Sequence, residues 1–244
     1  MSALWATFQR ELRAYFFSPL AYAIAALMLI FNGILFIVII SFLANPMSQP
    51  GPPFELFFSL SWLVLLTVTP LLTMRLISEE RRSGSIEVLM TAPVTEGQVV
   101  AGKYLAVLAF FASLWLPTVV YAVIVGAHTE LDWGTVAAGY LGLFLIGALS
   151  LSIGVMASSF AKNQVVAAIL ALAILFCFFF VFGWAKDLVN GQAAKEVFGY
   201  LDIFAPMRDY AKGVISTRSV VYCLTSTVFF LFLASRALEA KKWR

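Results

Sequence analysis

Charge is what this chain has least of. Only 12% of its 244 residues are Asp, Glu, Lys or Arg, against about a quarter in an ordinary soluble domain, while 62% are hydrophobic and the mean hydropathy is +0.94. A soluble core of this size could not hide so much apolar surface, so the solvent for most of the chain is lipid. Histidine is scarcer still. His128 stands alone, and no histidine-dependent metal site or catalytic dyad can be assembled from it. The two cysteines, Cys177 and Cys223, fall inside apolar runs without metal-ligand spacing and read as packing residues. The formal net charge is only +3, and no basic stripe interleaves with aromatics, which excludes a nucleic-acid partner. No apolar run carries a carboxylate near its middle, which argues against a proton- or sodium-coupled carrier.

What the chain has instead is long apolar runs. They occupy residues 20–43, 54–77, 102–127, 133–160, 165–184 and 219–235, too long and too uniformly apolar for the strands of a membrane barrel. The first, at about 36 Å of helix against about 30 Å of hydrocarbon, crosses with some tilt. The predicted fold is therefore an all-α polytopic membrane protein with six transmembrane helices, one transmembrane domain over 1–244. Residues 1–18 read as an interfacial helix, with Leu4, Trp5, Phe8, Leu12, Tyr15 and Phe16 on one face and Gln9, Arg10, Glu11 and Arg13 on the other. Residues 45–53, rich in proline, read as a loop, and 185–218, broken by Gly191, Gly199, Pro206 and Gly213, as short outer helices dipping into the membrane.

Orientation follows from the cations of the short loops. With the N-terminus inside, the inner segments hold Arg10, Arg13, Arg75, Arg81, Arg82, Lys103, Lys162, Arg236, Lys241, Lys242 and Arg244, and the first two outer loops hold none. Both termini are then cytoplasmic. The outer segment 185–218 is the exception, carrying Lys186, Lys195, Arg208, Lys212 and Arg218. Trp133 and Trp184 are placed at the outer interface, Trp5 and Trp243 at the inner one.

One polar inner segment of any size remains, 78–100, reading SEERRSGSIEVLMTAPVTEGQVV. Ile86, Leu89 and Met90 recur at helical spacing beside Glu87, giving a short amphipathic helix that Pro93 ends. Thr95 and Gln98 form a capping box that starts the next helix. Such a segment is either a plain surface turn or a knob that passes a push from a soluble partner into the membrane. The fourth run carries Gly147, Ser150, Gly154 and Ser158 on one face, which suits close helix packing or a polar conduit.

The pattern Ser78-Glu79-Glu80-Arg81-Arg82-Ser83-Gly84-Ser85-Ile86-Glu87, then Leu89, then Ala92-Pro93, resembles the signature after the second helix of ABC-2 type transporter permeases. Ala157-Ser158-Ser159-Phe160 before Asn163-Gln164, Gly213-Val214-Ile215 before Val220-Val221-Tyr222, and a basic, Trp-containing C-terminus agree. The chain is most similar to the short six-helix permeases of gliding-motility and nitrous-oxide-reductase-maturation type. That resemblance implies a permease subunit of an ATP-driven exporter in the bacterial inner membrane, without catalytic residues or a bound cofactor of its own. ATP and Mg would sit on a separate ATPase subunit, present in two copies. A second permease copy or paralogue would complete the membrane part, with room for a periplasmic or auxiliary protein. It further implies that Glu79, Glu80, Arg81, Gly84, Ile86, Glu87, Leu89 and Pro93 form the ATPase contact. The chain departs from these relatives after Pro206, where Arg208-Asp209-Tyr210 replaces a His-Phe pair, so the resemblance names no substrate.

Two other motifs lead nowhere. Gly97 to Tyr104 imitates a phosphate-binding loop, but Tyr104 replaces the magnesium-ligating hydroxyl and no strand precedes it. Glu79-Glu80 imitates the acidic part of an intramembrane protease site, yet His128 is placed at the opposite membrane face. Besides the transporter subunit, a membrane anchor or scaffold that binds partners without transporting anything remains open.

Overall fold

The structure is a computed structural model that describes residues 3–43, 53–82, 95–189 and 191–242, and among these it is all helix and connection, without strands. Six of its helical stretches are long and apolar enough to cross a membrane: Pro19–Ser41, Trp62–Arg82, Glu96–Gly126, Trp133–Phe160, Gln164–Leu188 and Thr217–Ala240. Because they run alternately up and down, α1 (Ala3–Phe16), the start of α2 (Pro19–Leu43) and α5 (Ser78–Arg82) share one end of the molecule. The short helices that follow the fifth span share the other.

The centre is α8 (Trp133–Phe160), the fourth span. Its most apolar stretch is 89% buried inside the protein, against 22% for each of the first and fifth spans and 28% for the sixth. Small side chains make this position possible. Gly147 lies against the ring of Phe111 and Gly154 against Thr73, so closely that a Cβ at Gly154 would collide with the threonine. The peripheral spans instead present Ile30, Ile34 and Ile37, or Val165, Ile169 and Leu172, to the lipid. Caps mark the ends of α8 and α9 (Gln164–Phe176). Asp132 accepts the Gly134 N–H at 2.9 Å, and Asn163 accepts the Val166 N–H at 2.9 Å. Hydrogen bonds from the Thr135 hydroxyl and the Gly134 N–H hold the Asp132 carboxyl below its usual range.

Several boundaries differ from the apolar runs. The second span is preceded by α3 (Pro53–Leu60), separated at the buried Ser61 from α4 (Trp62–Thr73). The Ser61 hydroxyl donates back to the Phe57 carbonyl at 2.8 Å, the local competition that loosens a helix without glycine or proline. The third span starts not at 102 but at Glu96, where the Thr95–Gln98 capping box is formed. Its first helix, α6 (Glu96–Trp115), passes through a 3₁₀ turn at Leu116–Thr118 into α7 (Val119–Gly126), because Pro117 offers no N–H. The fifth span continues past 184 through a π-helical turn, Cys177–Val181, into α10 (Phe182–Leu188). The sixth, α13 (Thr217–Lys242), runs well past 235, since Arg236 and Glu239 pair along the helix at 2.5 Å and keep the polar turns helical.

The outer stretch folds as α11 (Gln192–Leu201) and α12 (Phe204–Ala211). The π turn anchors it. The Ile203 N–H, between these two helices, donates to the Phe178 carbonyl at 3.4 Å, while Trp62 meets Phe180 edge-on at 4.9 Å. The expected loop 45–53 lies almost wholly outside the described residues, as does Trp243.

Candidate functional site

The polar end of the second span is built from a break in its helix. Pro70 inside α4 has no N–H, and beyond Thr73 the Leu76 N–H goes to the Thr73 carbonyl at 3.1 Å instead of continuing the α-helical ladder. Side chains from two distant helices take up the groups left over. Tyr15 on α1 donates its hydroxyl to the Leu72 carbonyl at 2.7 Å. Ser158 on α8 accepts the N–H groups of Ile77 and Ser78, both at 3.1 Å, and donates to the Met74 carbonyl at 3.2 Å. Ser78 adds a hydrogen bond to the same carbonyl.

From this break α5 carries two charged residues in different directions. Glu80 reaches under α1, where Lys103 of α6 lies with a side chain only 1% exposed. The Lys103 ammonium donates to Glu80 Oε1 at 2.8 Å and to Glu11 Oε1 at 2.9 Å, and Arg10 bridges the same carboxylates at 3.0 and 2.7 Å. Burial pushes the Glu11 carboxyl up, but the attraction and hydrogen bond of Lys103, with those of Arg10, outweigh it and hold the group below the usual carboxylate range. One lysine thus ties together three elements that are far apart in sequence. Arg81 goes the other way, donating to the carbonyls of Ser159, Ala161 and Phe160 at 2.5, 2.8 and 3.3 Å. Its guanidinium closes the C-terminal end of α8, where unsatisfied carbonyls and the helix dipole favour a cation.

Helix α1 is consequently less superficial than its amphipathic pattern predicts. It packs along α6, crossing at Gly102, where an added Cβ would sit 3.0 Å from the Leu4 carbonyl and from the Thr7 side chain. The glycine and lysine of the false phosphate loop therefore serve helix contact and charge pairing. Arg75 lies 5.3 Å over the Tyr15 ring and donates to Ser18 at 2.9 Å, fixing the turn between α1 and α2. A cavity of about 340 Å³ remains among Glu11, Ser18, Arg75, Glu79 and Lys103.

Of the eight residues taken from the family signature, Glu79 is exposed, whereas Glu80 and Arg81 are engaged inside the chain. Gly84, Ile86, Glu87, Leu89 and Pro93 lie outside the described residues. On α8, Gly147, Ser150, Gly154 and Ser158 all face the interior: Ser150 donates to the Ile146 carbonyl at 2.8 Å, and the other three serve the contacts above. Lys103 is not a loop cation, as the charge count has it, but a buried one. A signal for that was present, since Val99, Val100, Tyr104 and Val107 surround it on one apolar helical face. His128 lies at the far end, its Nδ1 2.8 Å from the Ile124 carbonyl.

No curated protein matches the chain. A family model, that of the ABC-2 family transporter protein, matches residues 63–241, from the second span through the sixth and including Glu80, Arg81 and Lys103. With six membrane-spanning helices over most of which that match runs, the chain belongs to the ABC-2 family of transporter proteins and is a multi-pass permease component of that transport system.

Proposed function

We propose that this permease is driven by a separate ATPase that docks on residues 78–100, and that the α5 end of the second span receives its push. The observation that carries the reading is the double attachment of α5. Glu80 ties it through Lys103 to α1 and α6, and Arg81 ties it to the end of the central helix α8. A force on the segment after Arg82 would reach three elements through charge-assisted hydrogen bonds, which are short and resist shear. Glu79, Gly84, Ile86, Glu87, Leu89 and Pro93 then supply the outward contact, and Glu80 and Arg81 the inward one. ATP and Mg belong to the partner.

The complete assembly in this reading is two permeases and two ATPases in the bacterial inner membrane, both permease termini cytoplasmic, working as an exporter. Cargo would pass between the two permeases. Purification with the adjacent ATPase tests it: Glu87→Arg or Leu89→Arg should abolish the complex and the stimulation of ATP hydrolysis. An undiminished complex with undiminished stimulation sinks the docking assignment.

One observation favours a second reading, a membrane anchor or scaffold that binds partners without passing a solute. The small-residue face of α8 is consumed by packing within the chain. Full biological activity with a catalytically dead ATPase would favour that reading over export.

A further inference from the structure

At the end of the molecule opposite α5, the helices α10 to α13 line an open cavity of about 770 Å³. Three cations from three different helices line it: Lys186 of α10, Lys195 of α11 and Arg218 of α13. Among the described residues none of the three forms a salt bridge. Glu196 and Asp209 also line it and are exposed, whereas Asp202 is buried and already accepts the Phe204 N–H at 2.8 Å. The lining therefore balances three positive charges against three negative, of which Glu196 and Asp209 are open to a ligand. That balance suits a ligand bearing one anionic group and one cationic group.

We propose that this cavity binds the zwitterionic phosphoethanolamine headgroup of a phospholipid. Phosphate oxygens accept strongly from lysine and arginine, and three such cations from separate helices line the cavity. A primary ammonium has hydrogens for Glu196 and Asp209. A trimethylammonium has none and needs the open face of an aromatic ring. Of the two rings in the lining, Tyr200 is covered by Arg218 at 3.8 Å, which leaves Tyr222 alone and not an aromatic cage for phosphocholine. A phosphoglycerol headgroup offers the two carboxylates hydroxyl donors but no cation, and so leaves their charge unmatched. Trp184, Leu188 and Val197, 73%, 81% and 56% exposed, stand on the same short helices and give acyl chains an apolar path at the level of the membrane interface. The site is independent of the coupling reading and lies at the other membrane face.

The test uses the purified full chain in detergent, offered vesicles of phosphatidylethanolamine, phosphatidylcholine or phosphatidylglycerol with matched acyl chains, with retained lipid counted by native mass spectrometry. Phosphatidylethanolamine should be retained on the order of tenfold over the other two. The Lys195→Ala/Arg218→Ala double variant should lose that preference, Arg218→Lys should keep most of it, and Lys212→Ala, whose side chain stands near Glu55 at 4.0 Å outside the cavity, should keep all of it. Displacement of the lipid by soluble phosphoethanolamine would show that the headgroup alone suffices, and displacement only by other vesicles would assign the membrane-anchored form. Equal retention of the three lipids by the wild type, or an unchanged preference in a correctly folded double variant, overturns the proposal.

Discussion

Lys103 Nζ lies 2.8 Å from Glu80 Oε1 although the ammonium is buried and the carboxylate stands on the helix that ends the second span. A buried lysine must be paired to remain charged, and Glu11, at 2.9 Å, shares the task. Removing the lysine leaves the two carboxylates with only the more exposed Arg10 between them. Lys103→Met should therefore destabilise the protein by about 2–3 kcal/mol, below the roughly 3–5 kcal/mol of a fully buried pair because the glutamates retain some solvent. Glu11→Gln, which leaves Glu80 in place, should cost about 1 kcal/mol. Thermal unfolding in detergent ranks the two, and equal effects would refute the three-way pairing.

The same cluster sets a pH dependence. The folded-state Glu11 carboxyl lies below its ordinary value. Its contribution is then fully present above the unfolded carboxylate pKa of about 4.3, and is lost as the pH falls through the lowered folded value. Wild-type melting temperature should drop on acidification below about pH 4, and Glu11→Gln should show a shallower drop over that range. Parallel profiles would mean that the pairing contributes nothing measurable.

The contact of α8 with α4 has no room to spare. Gly154→Ala should push Thr73 aside and destabilise by about 1–3 kcal/mol, and Thr73→Ala in the same chain should restore part of the loss. Gly97→Ala provides the contrast. Nothing lies within 4 Å of that position in the first turn of α6, so it should be neutral or stabilising by up to about 1 kcal/mol. Chemical denaturation of the three variants separates close packing from a general intolerance of substitution.

Arg81 closes the end of α8 through three carbonyls. Arg81→Gln should raise amide hydrogen exchange around Ser159–Ala161 and cost about 1–2 kcal/mol, with Arg81→Lys intermediate because a point charge cannot span the same acceptors. Exchange in α12, at the other end of the molecule, should not change. A uniform rise across the protein would point to global loosening instead.

How many helices cross the membrane was already settled by the sequence, because an apolar run either exceeds the hydrocarbon thickness or does not, and that comparison needs no partner. The capping box at Thr95 and Gln98 was legible for the same reason, since its donors and acceptors lie three residues apart. The small residues of α8 announced a close approach without saying to what. Only the tertiary structure decided that Gly154 meets Thr73, that Ser158 serves the break after Pro70, and that Glu11 and Lys103, 92 residues apart, share a charge. Helical periodicity assigned Glu11 to a solvated face and composition counted Lys103 as a loop cation. Both errors have one physical cause. The cost of burying a charge depends on what packs against it, and on α1 that partner is a helix brought in by the fold.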